Sequence, residues 1–480
     1  MPDKYFTYKS IDDLRADIRQ LGADITLEDT LEAVAQPVRI GSRTIGNAMG
    51  IHPMEGCDGT IDGKPGELTY RRWQRFGEGG AKLIWGEATA VVPEGLANSR
   101  QLLLNEANLP EFELLLKGTR DAHRARFGTD SDLMIGIQLT HSGRWSYRAP
   151  VIAYHHPQAD LVTYADKKNG VRIDAGYPIV TDDYLERLED EYVEAAKRAA
   201  KIGFDFIDIK QCHTYLLNEL LGARTRAGKY GGSFENRTRM IRNILGKIKS
   251  EVGGPMQAAS RLNVYDGVPF ELDPVTGAGR PIPFTTPYPY NFGVDMNDPL
   301  REDLSEPIAL IAMMKDLGVH LVNVSMGSPY YNMHYGRPFE KKPFEGYETP
   351  EHPLLGVARH FAATEKIQRA FPDLAVVGTG YSWLQKYLIN AGESNLRRKR
   401  VSIVAVGRGA IAYPDYAADA LTKGELNPSQ VCIAISYCTN LMRSKNNELG
   451  QYPAGCVPRD DVYVPIYKEV LAKRKAEGKT

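Results

Sequence analysis

Eight short runs dense in apolar residues punctuate the chain: 46–54 (GNAMGIHPM), 81–88 (AKLIWGEA), 132–139 (DLMIGIQL), 204–210 (FDFIDIK), 255–262 (PMQAASRL), 319–325 (VHLVNVS), 374–380 (LAVVGTG) and 401–407 (VSIVAVG). Each is followed by a loop and a stretch with helical spacing, such as DDYLERLEDEYVEAAKRAAKIG (182–203) or DLSEPIALIAMMKDLG (303–318). The first of these opens on Thr181-Asp182-Asp183, a cluster suited to an N-cap, and closes on Gly203. Strands that are apolar throughout, each joined to the next by a helix, predict a parallel sheet covered on both faces. Eight such units predict a (β/α)₈ TIM barrel with its chemistry at the C-terminal ends of the strands. A doubly wound open sheet also uses βα units, but no run here is followed at once by G-x-G-x-x-G.

Outside this pattern, residues 1–33 are polar and helix-prone and predict an N-terminal helical arm. The barrel is expected over 34–425, and 426–480 is expected to be a C-terminal extension packed on it, ending in a charged helix. Three connections, near 140–181, 263–303 and 326–355, are too long for plain βα loops and rich in Pro, Gly and aromatics. Long βα loops on a rigid scaffold are where binding sites are built.

Charge narrows the function. With 59 Lys+Arg against 60 Asp+Glu, the net charge is −1, and no global field favours nucleic acid or an anionic membrane. The N-terminus has no apolar signal core and no run is long enough to span a bilayer. Five cysteines fit a reducing compartment better than a disulfide framework, so a cytoplasmic protein acting on a small molecule is expected. A homodimer is the expected assembly.

Polar residues gather where the strands should end. Run three gives Gln138 and then Thr140-His141-Ser142-Gly143-Arg144; run four gives Lys210, His213 and Tyr215; run five gives Arg261 and run six Ser325. Runs seven and eight end in Gly378-Thr379-Gly380 and Gly407-Arg408-Gly409. Glycines let backbone N–H groups approach a phosphate, and the usual phosphate site of a barrel follows strands seven and eight. The bland alternative, polar loop residues meeting water, accounts for the glycines but not for Arg408 at that place.

The stretch KQCHTYLLNELLGARTRAGKYGGSFENRTR (210–239) resembles the strand-four signature of the old yellow enzyme family of FMN-dependent oxidoreductases. Pro53-Met54, Glu87-Ala88, Gln138 with His141-Ser142-Gly143-Arg144, and VGRGAIAYPDY (406–416) follow in the family's order. The likeness covers roughly residues 35–425 on the phasing of the barrel units.

The resemblance implies FMN across the barrel mouth and NADH or NADPH as reductant. It places Gly378, Thr379, Gly380, Gly407 and Arg408 on the phosphate, Gln138 on the pyrimidine edge of the ring and Arg261 near the N1–C2 oxygen region. Pro53, Met54, Glu55, Ala88 and Ser325 complete the cofactor's surroundings. In the family, a polar pair spaced i, i+3 grips the substrate's electronegative atom and a tyrosine two residues on donates the proton; here these are Lys210, His213 and Tyr215. Donors at that place stabilise the charge that builds on a conjugated oxygen, and a neutral tyrosine, with an ordinary pKa of about 10, can protonate the neighbouring carbon.

The chain departs from the family at several points. Lys210 stands where His is usual, suggesting a carboxylate-bearing or strongly polarised substrate; Glu55 stands where relatives place Thr or Cys; Gly228 replaces an Asp. Larger relatives bind an iron–sulfur cluster after the barrel. Here Cys432, Cys438 and Cys456 offer three thiolates where four are needed and Ile435 takes the place of one, so no metal is expected. Cys57 and Cys212 read as packing residues, and His52, His141 and His334 as satisfied loop histidines, with His141 the better site candidate beside Gln138. Tyr330, Tyr331 and Tyr335 fit a lid or packing equally.

The leading expectation is hydride transfer from NAD(P)H through flavin to a carbonyl- or carboxyl-conjugated double bond. A flavin-dependent amine dehydrogenase, demethylase or C–C dehydrogenase is the alternative, with the cluster-bearing type disfavoured in a 480-residue chain. A cofactor-free lyase using Lys210 as a Schiff-base nucleophile represents a different class.

Overall fold

The computed structural model describes residues 4–479; residues 1–3 of the expected arm and residue 480 of the expected extension lie outside the described residues. Eight strands close a barrel: β1 Met49–Ile51, β2 Leu83–Ala90, β3 Met134–Thr140, β4 Phe206–Ile209, β5 Gln257–Tyr265, β6 Val319–Met326, β7 Ala375–Gly378 and β8 Ile403–Val406. Neighbours follow chain order and β8 pairs back onto β1, every pairing being parallel. All eight predicted runs are strands, and the fold is the (β/α)₈ barrel.

The outer ring holds α1 Glu67–Glu78, α2 Leu109–Phe127, α3 Asp182–Ile202, α4 Arg239–Glu251, α5 Ser305–Asp316, α6 Pro353–Ala370, α7 Leu388–Arg397 and α8 Tyr416–Lys423. The predicted caps of α3 form: Thr181 Oγ1 accepts from Tyr184 N at 3.2 Å, and Gly203 ends the helix at φ 97°. A helix over Ile11–Leu21, closed by a Ser10–Asp13 capping box, precedes the barrel, and Phe6 packs edge-on against Trp383 at 5.6 Å. After the barrel, a helix over Tyr463–Ala476 stacks Tyr467 on Tyr437 at 4.7 Å and is tied to α1 through Asp460, which pairs with Arg71 and Arg75.

The strands' period of two decides the site. One phase fills the lower barrel with Leu83, Trp85, Met134, Phe206, Ala259, Leu321, Ala375, Val377, Ile403 and Ala405, and Ile40 and Ile45 of a short hairpin plug the bottom. Burying each large apolar side chain there contributes about 1.5–3 kcal/mol. Gly136 makes room for the Phe206 ring, which a Cβ would meet at 2.3 Å. Continuing the same phase upward brings Gln138, Asp208 and Lys210, Arg261, Asn323 and Ser325, Thr379 and Gly407 to the mouth.

Candidate active site

At the end of β4 the backbone turns sharply. His213 and Thr214 have φ of 64° and 57°, a left-handed conformation uncommon for any side chain and an outlier for a β-branched one. Surrounding bonds hold it: Thr214 N donates to Asn218 Oδ1 at 2.6 Å, Thr214 Oγ1 donates to His213 O at 2.6 Å, and Trp145 Nε1 donates to Thr214 Oγ1 at 2.8 Å. Asn218 is fixed in turn by Asp266 at 3.1 Å. A pair of strained residues held this firmly marks a site rather than a loose loop.

The turn brings the three predicted residues together. The Lys210 ammonium lies 3.7 Å from the centroid of the Tyr215 ring, and the Tyr215 hydroxyl is 3.2 Å from that of Tyr330. His213 Nε2 is 3.3 Å from Ser325 Oγ. Lys210 and Tyr215 are buried, and Lys210 has no carboxylate in ion-pair contact among the described residues. Burial pulls the Lys210 ammonium below its ordinary range, with Cys212 and Glu55 opposing. Burial, with Arg261 and Lys210 beside it, holds the His213 imidazole well down, so it is neutral. Burial raises Tyr215 well above its usual value, and it stays protonated.

Below this group sits Asp208, which composition and spacing did not single out. Its carboxylate accepts from Trp85 Nε1 at 2.8 Å, Gln138 Nε2 at 2.5 Å and Arg261 N at 2.7 Å, and burial pushes it up to about 6. Asp208 therefore sets the rotamer of Gln138, leaving the amide oxygen free to accept elsewhere. A register shift between Trp85 and Ala88 bends the end of β2. It turns Glu87 toward Arg72, which also pairs with Asp58. Gly56 N donates to Glu87 at 2.8 Å, which fixes the loop carrying Pro53, Met54 and Glu55.

Glu55 is the unusual member. Burial lifts its carboxyl to about 7; Lys210 opposes the shift, Glu87 adds to it, and Asn98 and Cys57 hydrogen-bond to it. At neutral pH this group is poised between acid and carboxylate.

The β7 and β8 turns form the other side. Gly380 takes φ 99°, and a Cβ on Gly407 would come within 2.6 Å of Met54 Sδ. Thr379 Oγ1 is engaged by Val324 O at 2.8 Å and His52 Nε2 at 3.1 Å, so only its backbone is available to a ligand. Arg408 spends Nη2 on Pro338 O at 2.7 Å, while its Nη1 and the Nε of Arg261 are buried without an acceptor. Arg337, absent from the sequence reading, joins this group: its Nη2 also lacks an acceptor, and burial and then Arg408 lower its pKa. Buried guanidinium N–H groups without acceptors are costly. A phosphate and an electron-rich ring edge supply them, so these residues fit FMN.

Other candidates are structural. His141 bonds Tyr184 Oη at 2.9 Å and accepts from Gly143 N, and His52 bridges Asn323 and Thr379. His334 meets Tyr347 Oη at 2.8 Å. Tyr331 and Tyr335 are buried packing residues, whereas Tyr330 is 37% exposed and stacks on Trp145 at 4.0 Å. Cys57 and Cys212 are buried, and Cys432, Cys438 and Cys456 line one pocket with Ile435 and Arg408.

The sequence profile of the NADH:flavin oxidoreductase / NADH oxidase family matches residues 34–276. The chain belongs to this family, that of the old yellow enzymes. Solved structures share the fold. A 2-naphthoyl-CoA reductase in complex with 2-naphthoyl-CoA is 17% identical with a TM-score of 0.64 over 92% of this chain. The match spans 58% of that longer chain. The old yellow enzyme homologue of Zymomonas mobilis is 20% identical, with a TM-score of 0.57 over 83% of this chain and 95% of its own. Morphinone reductase in complex with tetrahydroNAD is 20% identical, with a TM-score of 0.55 over 83% and 93%. Among the described residues no helix is long and apolar enough to cross a membrane.

Proposed function

We propose that this flavin oxidoreductase reduces a double bond conjugated to a carbonyl or carboxyl group, using NADH or NADPH. The observation that supports this most directly is the buried Lys210 ammonium beside the neutral His213 imidazole, with no acid in ion-pair contact among the described residues.

FMN, when bound, would supply the hydride transfer between nicotinamide and substrate carbon. Gly378, Gly380, Gly407, Arg408 and Arg337 would hold its phosphate, and Gln138 and Arg261 its ring edge. Lys210 and His213 donate to the substrate's oxygen and stabilise the negative charge that gathers there. Tyr215 carries the proton for the neighbouring carbon, and Tyr330, half-open to solvent, returns one through the 3.2 Å hydroxyl contact. The Trp145–Tyr330 stack limits water at the mouth. An ammonium in place of the family's usual imidazole favours substrates whose oxygen is strongly polarised or ionised. The match to the NADH:flavin oxidoreductase profile weighs against the cofactor-free lyase.

Anaerobic reduction by each nicotinamide followed by reoxidation with enones and unsaturated acids, and separately anaerobic mixing of the oxidised enzyme with N-methyl compounds, tests this reading. Reoxidation by conjugated alkenes, lost in Lys210→Met, is the expected result. Bleaching of the oxidised enzyme by N-methyl compounds, with no reoxidation by any alkene, would replace it with amine oxidation, and full activity in Lys210→Met would remove the lysine from the reaction.

A further inference from the structure

The turn carrying His213 and the loop carrying Tyr330 belong to different βα units, and one buried acid is bonded toward both. Asp266 follows β5 directly and is 2% exposed. Toward β4, its Oδ1 accepts from Asn218 Nδ2 at 3.1 Å, and Asn218 Oδ1 accepts from Thr214 N at 2.6 Å. Toward β6, the same Oδ1 accepts from Asn263 Nδ2 at 2.7 Å, and that amide also donates to Gly327 O at 2.8 Å. The Asp266 carbonyl accepts from Asn332 Nδ2 at 2.8 Å, and Asn332 Oδ1 accepts from Ser328 N at 2.6 Å. The two arms meet where Thr214 Oγ1 and Ser328 Oγ lie 3.0 Å apart. His213 is the residue before Thr214, and Tyr330 stands two residues after Ser328.

The place calls for a carboxylate. Three N–H donors converge on it: the amides of Asn218 and Asn263 on Oδ1, and Phe292 N on Oδ2 at 2.8 Å. An ionised carboxylate only accepts, so it satisfies all three at once. An amide here would turn its own N–H toward the Asn218 and Asn263 amides in one orientation and toward Phe292 N in the other. Burial pushes the Asp266 carboxyl up to about 6, while the bonds from Asn263, Phe292 and Asn218 pull it down, so at neutral pH it is the carboxylate. Packing does not do the same job. A small cavity lined by Thr214, Asn218, Asp266 and Tyr331 lies against the turn. Left-handed residues beside a gap keep their conformation through hydrogen bonds rather than through contact with close-packed neighbours.

We propose that Asp266 is a positioning residue for the reaction at the mouth: it fixes the His213 turn and the Tyr330 loop against each other, so that the donor to the substrate's oxygen and the hydroxyl behind Tyr215 keep one geometry. This rests on the reading of His213 as that donor and of Tyr330 as the proton relay. Asp266 itself touches neither substrate nor flavin; it acts through Asn218 on one side and through Asn263 and Asn332 on the other.

Hydrogen exchange and half-reaction kinetics of the holoenzyme test this with Asp266→Asn, which keeps the side chain's shape and removes one acceptor. Amide exchange in residues 213–218 and 327–332 should quicken together by about tenfold or more, the loss of hydrogen bonds to a charged group, while the turns after β7 and β8 exchange as in the parent. In stopped flow, reoxidation of the reduced enzyme by cyclohexenone should slow by about 10–100-fold, and flavin reduction by the nicotinamide should keep its limiting rate. A double-variant cycle with Tyr330→Phe separates positioning from a general loss of stability. Asp266→Asn should cost less in the Tyr330→Phe background than in the parent, because part of its effect passes through Tyr330. Ser328→Ala removes only the hydroxyl between the two arms and should give the same pattern in weaker form, which keeps the test open if Asp266→Asn does not fold. Quickened exchange in one segment alone, equal slowing of both half-reactions, or strictly additive effects with Tyr330→Phe would overturn the proposal. A parent enzyme that no alkene reoxidises overturns the donor-and-relay reading instead, and the exchange measurement then still decides whether Asp266 ties the two segments together.

Discussion

The Lys210 ammonium lies over the ring of Tyr215, 3.7 Å from its centroid. The pair thus joins the residue that distinguishes this chain from its family to the residue expected to deliver the proton. A cation on the ring face steadies the ammonium in a buried place where it has no ion-pair partner among the described residues. It also keeps the Tyr215 hydroxyl directed at Tyr330.

Separating the two roles is possible by mutation. Tyr215→Phe should lower turnover of a conjugated alkene by about 10²–10⁴-fold, the usual share of a general acid, while flavin reduction by the nicotinamide is unchanged. Lys210→Met should cost about 10²–10³-fold, the loss of an oxyanion donor. Stopped-flow measurement of the two half-reactions checks both. Equal slowing of both half-reactions in Tyr215→Phe would remove the tyrosine as donor.

Glu55 gives a stability signature. Its carboxyl is raised from an ordinary 4.5 to about 7, so the folded protein holds a proton that the unfolded chain releases between these values. Its contribution is fully present below the unfolded value and is lost as pH rises through about 7. Glu55→Gln should therefore melt with less pH dependence across this window than the parent, read from Tm against pH. Parallel curves for parent and variant would show that Glu55 ionises normally.

Arg408 has one buried N–H without an acceptor and lies in the turn after β8. Arg408→Met should weaken FMN binding by about 10–100-fold, the range for a lost charge-assisted hydrogen bond. The free flavin released on dilution measures it, and unchanged retention would move the phosphate elsewhere.

Arg72 stands buried between Asp58 and Glu87. Arg72→Met leaves two buried carboxylates facing each other and should cost about 3–5 kcal/mol of stability. The fall in Tm reports this, and because Glu87 also holds the Gly56 N–H, flavin retention should fall with it. A variant melting like the parent would mean that water already reaches the pair.

The barrel was legible because strand runs, helix caps and turn glycines are local properties. The cap at Thr181 and the stop at Gly203 need no more than a few neighbouring residues. Lys210, His213 and Tyr215 were legible for a related reason: a strand followed by a turn keeps its polar residues together whatever surrounds it. Asp208 stayed hidden because one acid within FDFID looks like any strand residue until the barrel closes and Trp85, Gln138 and Arg261 converge on it. Arg337 beside Arg408 was hidden by chain separation, since nothing local relates these residues.

By itself, then, the sequence determined the succession of eight βα units, the grouping of Lys210, His213 and Tyr215 and the glycine turns, because each is written in spacing over a few residues. The tertiary structure alone decided which acids and cations share a field: that Glu55 and Lys210 act on each other, that Asp208 steers Gln138, and that the C-terminal segment brings Arg443 against the loop before Tyr330. Electrostatic and desolvation energies depend on distance through space and on burial, and neither exists until distant segments pack together.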